Sequence, residues 1–312
     1  MSIDRPLSSG IIPPLVSPLL DRDTLDRDGL KKLLDHVING GVHGVFLLGT
    51  TGEAPSLSSR LKRDLIAEAM KIVAGRIPVL VGVTDTSYVE TVSLSEYSAE
   101  MGAAAVVLAP PYYFPAGQAE LVEYLQHLAG DIPLPVALYN MPSHTKLVFE
   151  PETVRRAAEI PNFIGLKDSS GNMAYFHELK RRLSGRPDFS LFVGPEQLLA
   201  ESLLLGSNGG VCGGANLFPK LYVSLYDAAI RRDLERVKIL HNTVMIVCDE
   251  IYSAGGYWSS YLKGLKCSLS LKTICSDFMA EPFHRFREAE RAKIAEALAR
   301  VEIQLESVGC LD

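Results

Sequence analysis

The sequence has little of what is typical of secreted, membrane or nucleic-acid-binding proteins. Its 312 residues include five cysteines, an odd number without a C-x-x-C pair, which argues against a disulfide framework. No apolar run approaches the roughly 18 residues of a membrane-spanning helix, and the start, MSIDRPLSSG, lacks the apolar core of a signal peptide. With 31 Lys and Arg against 37 Asp and Glu, positive charge is not in excess, which argues against nucleic acid or an anionic membrane surface as a partner. We therefore expect a cytoplasmic protein with reduced thiols.

Composition and length leave the number of domains open. The hydrophobic fraction of 47% and the charged fraction of 22% are those of an ordinary globular protein, which argues against long disordered regions. A chain of this length can hold two domains of about 150 residues or one α/β barrel of about 250.

Eight short apolar segments recur along the chain, and each is followed by an amphipathic segment. Their apolar residues are continuous rather than alternating, which is typical of strands buried on both faces of a parallel sheet. The predicted strands are residues 11–19, 44–49, 78–83, 104–110, 135–140, 163–168, 189–194 and 209–214. The predicted helices are residues 26–39, 58–74, 90–101, 118–129, 152–159, 174–183, 196–205 and 220–230.

Eight strands that alternate with eight helices predict a (β/α)8 barrel, or TIM barrel, over residues 1–231. Residues 232–312 contain predicted helices at 234–252 and 288–306, so we expect a helical C-terminal extension. An open doubly wound sheet is the competing topology. It is less favoured because Pro13 and Pro14 stand where a G-x-G-x-x-G turn would follow the first strand.

Chemistry in such a barrel is carried by residues at the carboxyl ends of the strands, and several polar side chains stand there. Lys167 extends a buried apolar segment, where desolvation would favour the neutral, nucleophilic amine. The alternative is a lysine that reaches solvent or pairs with Asp168. Tyr139 ends the preceding strand, where its phenol could transfer protons, or could simply be a satisfied core hydroxyl. Thr50 and Thr51 offer hydroxyls and amides that suit a carboxylate, but also suit an ordinary turn.

Four motifs fall at the ends of predicted strands 2, 4, 5 and 6 in that order. They are GTTGE at 49–53, PPYY at 110–113, YNMP at 139–142 and GLKDSSGN at 165–172. Together they resemble the motifs of the dihydrodipicolinate synthase/N-acetylneuraminate lyase family of class I aldolases. The resemblance covers nearly the whole chain, including the C-terminal helices. It implies a (β/α)8 barrel, usually a homotetramer, that forms a Schiff base with pyruvate or another 2-oxo acid.

The resemblance also implies roles for individual residues. Lys167 would form the imine, and Tyr139 would be the acid/base residue. Thr51 and the Thr50 amide would hold the carboxylate of the 2-oxo acid. The Thr50 hydroxyl would link Tyr139 to Tyr113 of a neighbouring subunit. No cofactor and no metal are expected, since a protonated imine stabilises the adjacent carbanion by itself.

His144 departs from the family pattern. Members that make dihydrodipicolinate typically read Y-N-x-P-x-R-T, where the arginine holds the carboxylate of the aldehyde, and this chain has histidine there. A histidine is mostly neutral at its unperturbed pKa and does not reproduce the charged guanidinium fork. We therefore expect an aldolase, or a dehydratase, for a 2-keto-3-deoxy sugar acid or a similar 2-oxo acid, with pyruvate and an aldehyde as the small-molecule partners. His144, Gly194 and Cys212 complete the expected substrate-binding residues, although His144 could instead cap a loop.

Several alternatives remain open. Dihydrodipicolinate synthase activity is in doubt because of His144, and N-acetylneuraminate lyase activity is not favoured by Asn140. The sequence GGAN at 213–216 could bind phosphate after strand 8, and an inactive homologue is a further alternative. Glu53 is expected to cap the turn after strand 2. An aromatic cluster is expected to pack in the core or at a subunit interface, or to wall the active-site mouth; it comprises Tyr252, Tyr257, Trp258 and Tyr261.

Overall fold

The computed structural model describes residues 8–311, in which eight parallel strands form a barrel. The strands lie in the order β1-β8-β7-β6-β5-β4-β3-β2, and each paired neighbour is parallel. A parallel bridge between Pro14 and Phe46 joins the chain after β1 to β2 and closes the ring. The strands are β1 Gly10–Ile11, β2 Val45–Leu47, β3 Val79–Gly82, β4 Ala105–Leu108, β5 Val136–Asn140, β6 Phe163–Asp168, β7 Ser190–Val193 and β8 Gly209–Gly210. The predicted (β/α)8 fold is confirmed.

Helices alternate with these strands and then continue beyond the barrel. Asp26 and Ser58 cap two of them, since their side chains accept the N–H groups of Gly29 and Leu61. Those between or directly after the strands are α1 Arg27–Asn39, α2 Ser59–Val73, α3 Tyr88–Glu100, α4 Gln118–Asp131, α5 Pro142–Thr145, α6 Pro151–Ala158, α7 Met173–Arg182, α8 Leu199–Leu204 and α9 Pro219–Ile230. The C-terminal helices are α10 Leu234–Tyr252, α11 Ser260–Leu271 and α12 Glu288–Ser307.

The strands divide the core into two layers, because successive strand residues point to opposite faces. A small cluster fills the barrel interior and consists of Ile12, Phe46, Leu80, Ala105, Val107, Ala109, Ala137, Tyr139, Phe192 and Val211. A much larger cluster lies between the strands and the surrounding helices. The functional side chains predicted at the strand ends therefore stand above a tightly filled barrel.

Two predicted strands are much shorter in the structure. The segment 11–19 contributes only Ile11 to β1, because Pro13, Pro14 and Pro18 cannot donate to a strand ladder. The segment 209–214 stops as a strand at Gly210 and continues into a 3₁₀ turn, Gly213–Asn216. The predicted helix 196–205 is likewise divided into a 3₁₀ turn, Glu196–Leu198, and α8.

Sequence periodicity does not predict α11. Residues 262–269 of this helix are all buried, so its apolar residues show no amphipathic period. Lys263 and Lys266 interrupt the apolar pattern although both are buried. This helix, absent from the sequence-based prediction, supplies two contacts to the candidate site.

The expected boundary between a barrel at 1–231 and a helical region at 232–312 stays a prediction. The C-terminal helices pack directly on the barrel, since one hydrophobic cluster includes Leu225 of α9 and Val244 of α10. Residues 1–7, on which the signal-peptide expectation partly depends, lie outside the described residues, as does Asp312. Within residues 8–311, no helix has the length and apolarity needed to span a bilayer.

Candidate active site

Tyr139 and Lys167 are register partners on the adjacent strands β5 and β6. Lys167 Nζ lies 4.1 Å from the centroid of the Tyr139 ring and 5.3 Å from that of Phe46 on β2. Lys167 is 7% exposed and Tyr139 is 6% exposed. The strand register thus places an amine beside a phenol at the carboxyl ends of two strands.

The Lys167 amine makes no hydrogen bond and no ion pair with any of the residues 8–311. Asp168, the alternative ion-pair partner, follows Lys167 on β6 and accepts hydrogen bonds from Asn140 and Ser170 instead. The aliphatic stem of Lys167 lines an apolar chamber inside the barrel, together with Ile12, Phe46, Leu80, Val107, Ala137, Phe192 and Val211. No carboxylate or carbonyl group of residues 8–311 therefore occupies this amine.

The turn after β2, residues 49–53, brings two threonines to the barrel mouth. Thr50 Oγ1 lies 3.2 Å from the Tyr139 hydroxyl, within hydrogen-bond distance. The N–H groups of the next two residues, Gly52 and Glu53, donate to carbonyl groups of the same turn and so close it. In the described part of the chain, no group accepts the N–H of Thr50 or Thr51. Adjacent free amides with two hydroxyls form a suitable site for a carboxylate.

This 49–53 turn also contacts α11. Thr51 Oγ1 lies 3.2 Å from the hydroxyl of Tyr261, so this member of the aromatic cluster walls the mouth. The expectation that Glu53 caps the turn is wrong, because its side chain makes no capping hydrogen bond. Its carboxylate instead accepts Lys266 Nζ at 2.7 Å and the Ala280 N–H at 2.8 Å. A lysine within the apolar run 262–269 is the one sequence signal that could have indicated this buried ion pair.

His144 and Tyr113 stand apart from these groups. His144 lies on α5, where the rest of the protein covers only part of its ring, and it hydrogen bonds with the neighbouring Ser143. Partial burial, and then the charge of Lys146, lower the pKa of His144, so the ring is neutral at neutral pH. Tyr113 is 75% exposed and packs edge-on against Phe114, which is 78% exposed. Within residues 8–311, no hydrogen bond joins Tyr113 to Thr50.

Gly194 and Cys212 serve close packing in the structure. A Cβ atom at Gly194 would lie 1.9 Å from Ser169 Oγ, so glycine lets the turns after β6 and β7 approach each other. Cys212 is fully buried and belongs to the cluster between barrel and helices rather than to the barrel interior. Burial raises the pKa of its thiol well above the ordinary value. The assignment of both residues to the substrate pocket stays a prediction.

The turn after β8 is occupied by a carboxylate of the chain itself. Glu196 is buried and accepts the Gly214 N–H at 2.6 Å together with the hydroxyls of Tyr222 and Tyr252. Burial raises the pKa of Glu196, and its hydrogen bonds oppose that shift. A Cβ atom at Gly214 would lie 2.1 Å from the Tyr222 hydroxyl, so glycine leaves room for this network. These contacts, which sequence reasoning missed, argue against a phosphate site at Gly213–Asn216.

The fold and the site are those of a lyase of the class I aldolase type, with a lysine and a tyrosine at the mouth of a (β/α)8 barrel. The sequence profile described as the Dihydrodipicolinate synthetase family matches residues 7–301. The chain therefore belongs to the dihydrodipicolinate synthetase family.

Three relatives illustrate what this chain is similar to. The chain is 36% identical to a probable 2-dehydro-3-deoxy-D-pentonate aldolase, YjhH of Escherichia coli (strain K12), over 86% of this chain and 90% of the relative. The solved structure of dihydrodipicolinate synthase from Bacteroides thetaiotaomicron is 55% identical, with a TM-score of 0.93 over 96% of this chain and 100% of that one. The structure of YagE, a prophage protein of E. coli K12 in complex with pyruvate, is 28% identical, with a TM-score of 0.88 over 97% and 99% of the two chains.

Proposed function

We propose that the protein is a pyruvate-type aldolase in which Lys167 forms the Schiff base. The observation that carries this proposal is the Lys167 amine, which has no hydrogen bond or ion pair in residues 8–311 and lies 4.1 Å from the Tyr139 ring. Once deprotonated, an amine without such partners has its lone pair free for a carbonyl carbon. The carboxylate of the 2-oxo acid binds the free amides and hydroxyls of Thr50 and Thr51.

The reaction then proceeds without a cofactor. The amine attacks C2 of the 2-oxo acid, and loss of water leaves a protonated imine on Lys167. Cleavage of the C3–C4 bond sends its electron pair to the imine nitrogen and gives an enamine. As the aldehyde forms, the Tyr139 hydroxyl oxygen takes the proton of the C4 hydroxyl and passes its own proton to Thr50, from which a proton returns to the enamine carbon. Protonation of the enamine carbon and hydrolysis release pyruvate and the free lysine. Condensation follows the same steps in reverse, and Thr50, 3.2 Å from Tyr139, relays the proton.

The substrate that we propose is a 2-keto-3-deoxy sugar acid, cleaved to pyruvate and a hydroxyaldehyde. His144 stands where a guanidinium would hold a second carboxylate, and its pKa is lowered, so it offers a neutral ring to this end of the substrate. A neutral ring with a donor and an acceptor suits the hydroxyl groups of a sugar chain. The name of YjhH, a probable 2-dehydro-3-deoxy-D-pentonate aldolase 36% identical to this chain, supports this substrate class.

Dihydrodipicolinate synthase is the second candidate function. It is favoured by the 55% identity to the structure from B. thetaiotaomicron, which carries that name. The two candidates share the Lys167 chemistry and differ in whether the aldehyde carries a carboxylate. Residue 144 is the position that separates them.

We also propose that the active form is a cytoplasmic homotetramer in which Tyr113 reaches Thr50 of a neighbouring subunit. Tyr113 and Phe114 support this proposal, because two adjacent aromatic side chains 75% and 78% exposed are costly to leave in water. Sedimentation of the wild type and of Tyr113→Ala tests it. We expect a tetramer for the wild type, and a wild-type monomer with full activity would contradict it.

Borohydride trapping and a substrate panel test the proposed chemistry. The protein is incubated with pyruvate and borohydride, and the peptide that carries Lys167 is analysed by mass spectrometry. We expect a reduced adduct on Lys167 in the wild type and none in Lys167→Arg. A folded wild type without an adduct would overturn the Schiff-base proposal. The panel then compares cleavage of 2-keto-3-deoxygluconate and 2-keto-3-deoxypentonate with condensation of pyruvate and aspartate semialdehyde. Higher kcat/KM for the condensation would overturn the sugar-acid assignment.

A further inference from the structure

Helix α11 contacts the 49–53 turn at two points. Tyr261, near the start of the helix, lies with its hydroxyl 3.2 Å from Thr51 Oγ1. Lys266, further along the helix, donates to Glu53 at 2.7 Å. The C-terminal region thus reaches the segment that we assign to the substrate carboxylate.

The contact of Lys266 holds the 49–53 turn in place. Lys266 is fully buried, and its ammonium also donates to the Ser17 carbonyl at 2.9 Å. Glu53 has a left-handed backbone, with φ of 56°, which is unfavourable for a residue other than glycine and must be held by its surroundings. Lys266 on one carboxylate oxygen and the Ala280 N–H on the other supply that restraint. Ser17 Oγ donates to the Gly52 carbonyl at 2.7 Å and holds the turn from its other side.

The Tyr261 hydroxyl is held in a fixed position. Burial, and then the charge of Glu196, raise the pKa of the Tyr261 hydroxyl well above its ordinary value, and its hydrogen bond with Thr51 opposes that shift. Its ring packs edge-on against Tyr252, with centroids 4.8 Å apart. A Cβ atom at Gly213 would lie 1.5 Å from the Tyr261 hydroxyl, so only glycine at this position leaves room for it. The hydroxyl is therefore fixed in place, with the oxygen of Thr51 as its partner.

We propose that Tyr261 is a positioning residue for the substrate carboxylate: it donates its proton to Thr51 Oγ1 and so leaves the Thr51 proton free to point at the carboxylate. If Thr51 donated to Tyr261 instead, its single proton would be consumed inside the protein. This inference depends on the proposed function, since it presumes that Thr51 binds the 2-oxo acid. It adds a residue of the C-terminal region to the site, 210 positions from its partner in sequence.

Tyr261→Phe and Tyr252→Phe form a matched pair of variants. Each removes one hydroxyl from a partly buried ring, but the Tyr252 hydroxyl donates to Glu196 and not to Thr51. The carboxylate is bound equally in substrate, imine and transition state, so loss of its orientation should weaken binding without slowing the chemistry. For Tyr261→Phe we expect KM for pyruvate, and the pyruvate concentration that gives half-maximal borohydride trapping, to rise about three- to tenfold, with kcat changed less than about twofold. Tyr252→Phe should leave both concentrations unchanged.

A double-mutant cycle with Thr51→Val tests whether Tyr261 acts on pyruvate binding through Thr51. Once the Thr51 hydroxyl is gone, Tyr261→Phe should raise the half-maximal pyruvate concentration no further, whereas independent effects would multiply. The inference is overturned if Tyr261→Phe leaves pyruvate binding unchanged, if Tyr252→Phe weakens pyruvate binding equally, or if the two effects in the cycle multiply. Failure of the proposed function looks different, because the wild type itself would then give no adduct on Lys167.

Discussion

Asn140 and Asp168 hydrogen bond across β5 and β6, with Asn140 Nδ2 donating to Asp168 Oδ1 at 2.9 Å. Each of them directly follows one member of the Tyr139 and Lys167 pair, and successive strand residues face opposite sides of the sheet. The Asn140–Asp168 hydrogen bond on the outer face of the sheet therefore fixes the strand register. That register brings the Lys167 amine and the Tyr139 phenol together on the inner face. Asn140 is fully buried and also accepts the Phe149 N–H at 3.1 Å, which leaves no orientation in which its amide could flip at low cost.

The variant Asp168→Asn should lower the pH dependence of stability. Burial raises the pKa of Asp168 above its ordinary 3.8, against its hydrogen bonds with Asn140 and Ser170, so the folded protein holds this proton more tightly than the unfolded chain. The stabilisation from Asp168 is complete below 3.8 and is lost as pH rises through the folded-state pKa. Asparagine keeps the shape and does not titrate. The free energy of unfolding of the variant, relative to wild type, should therefore rise from about pH 4 to about pH 7.

Urea unfolding at several pH values measures this difference. Asp28→Asn, at an exposed position of α1, is the control and should follow the wild-type profile. A difference between Asp168→Asn and wild type that stays constant with pH would contradict the raised pKa of this carboxyl group.

Tyr139→Phe should separate imine formation from proton transfer. The ring remains 4.1 Å from Lys167 Nζ, so the chamber keeps its shape, but the hydroxyl that contacts Thr50 is lost. We expect kcat to fall by about 10²- to 10⁴-fold, as for loss of a general acid/base, while the pyruvate adduct on Lys167 is still trapped. Steady-state kinetics and mass spectrometry of the same sample measure both quantities. Tyr97→Phe, whose hydroxyl reaches the Arg63 carbonyl outside the site, should leave kcat unchanged.

The site residues at the strand ends can be predicted from the sequence, because each of them follows a local apolar pattern. Lys167, Tyr139 and Thr50 end or follow continuous apolar strands, and a parallel barrel brings all such ends to one face. Their order along the chain therefore predicts that they lie close together, and in the structure Lys167 contacts the Tyr139 ring and Thr50 contacts the Tyr139 hydroxyl.

The contacts that the C-terminal region makes with the site cannot be predicted from local sequence patterns. Tyr261 and Lys266 meet the 49–53 turn from 210 and 213 positions away. They lie on a helix that is buried on nearly all sides, so no hydrophobic period indicates the helix or its orientation. Glu53 accepts a backbone N–H from Ala280, a contact that any residue type could supply. Such contacts depend on how the helices dock, which local patterns do not determine.

Lys266→Met should be strongly destabilising. Removal of one partner from a buried ion pair leaves the other charge without compensation, at a typical cost of about 3–5 kcal/mol. Glu53 would then retain only the Ala280 N–H, in a site where Lys266 and Glu53 are 0% and 2% exposed at the side chain. The double variant Lys266→Met/Glu53→Gln, which leaves no buried charge, should recover part of the loss. Urea unfolding of the wild type, both single variants and the double variant measures the coupling, and additive single effects would contradict the ion pair.

His144→Arg should shift selectivity toward an aldehyde that carries a carboxylate. In the wild type, partial burial and the charge of Lys146 lower the pKa of His144, so the neutral ring cannot pair with an anion at neutral pH. An arginine would add a permanent charge and a two-pronged donor, and hydrogen bonds to charged groups contribute about 1.5–3 kcal/mol. We therefore expect kcat/KM for condensation of pyruvate with aspartate semialdehyde to rise about 10- to 100-fold, and cleavage of 2-keto-3-deoxygluconate to stay constant or fall. His144→Gln, which is neutral like the wild type, is the control and should not gain the condensation. Equal gains in both variants would show that charge at position 144 does not select the aldehyde.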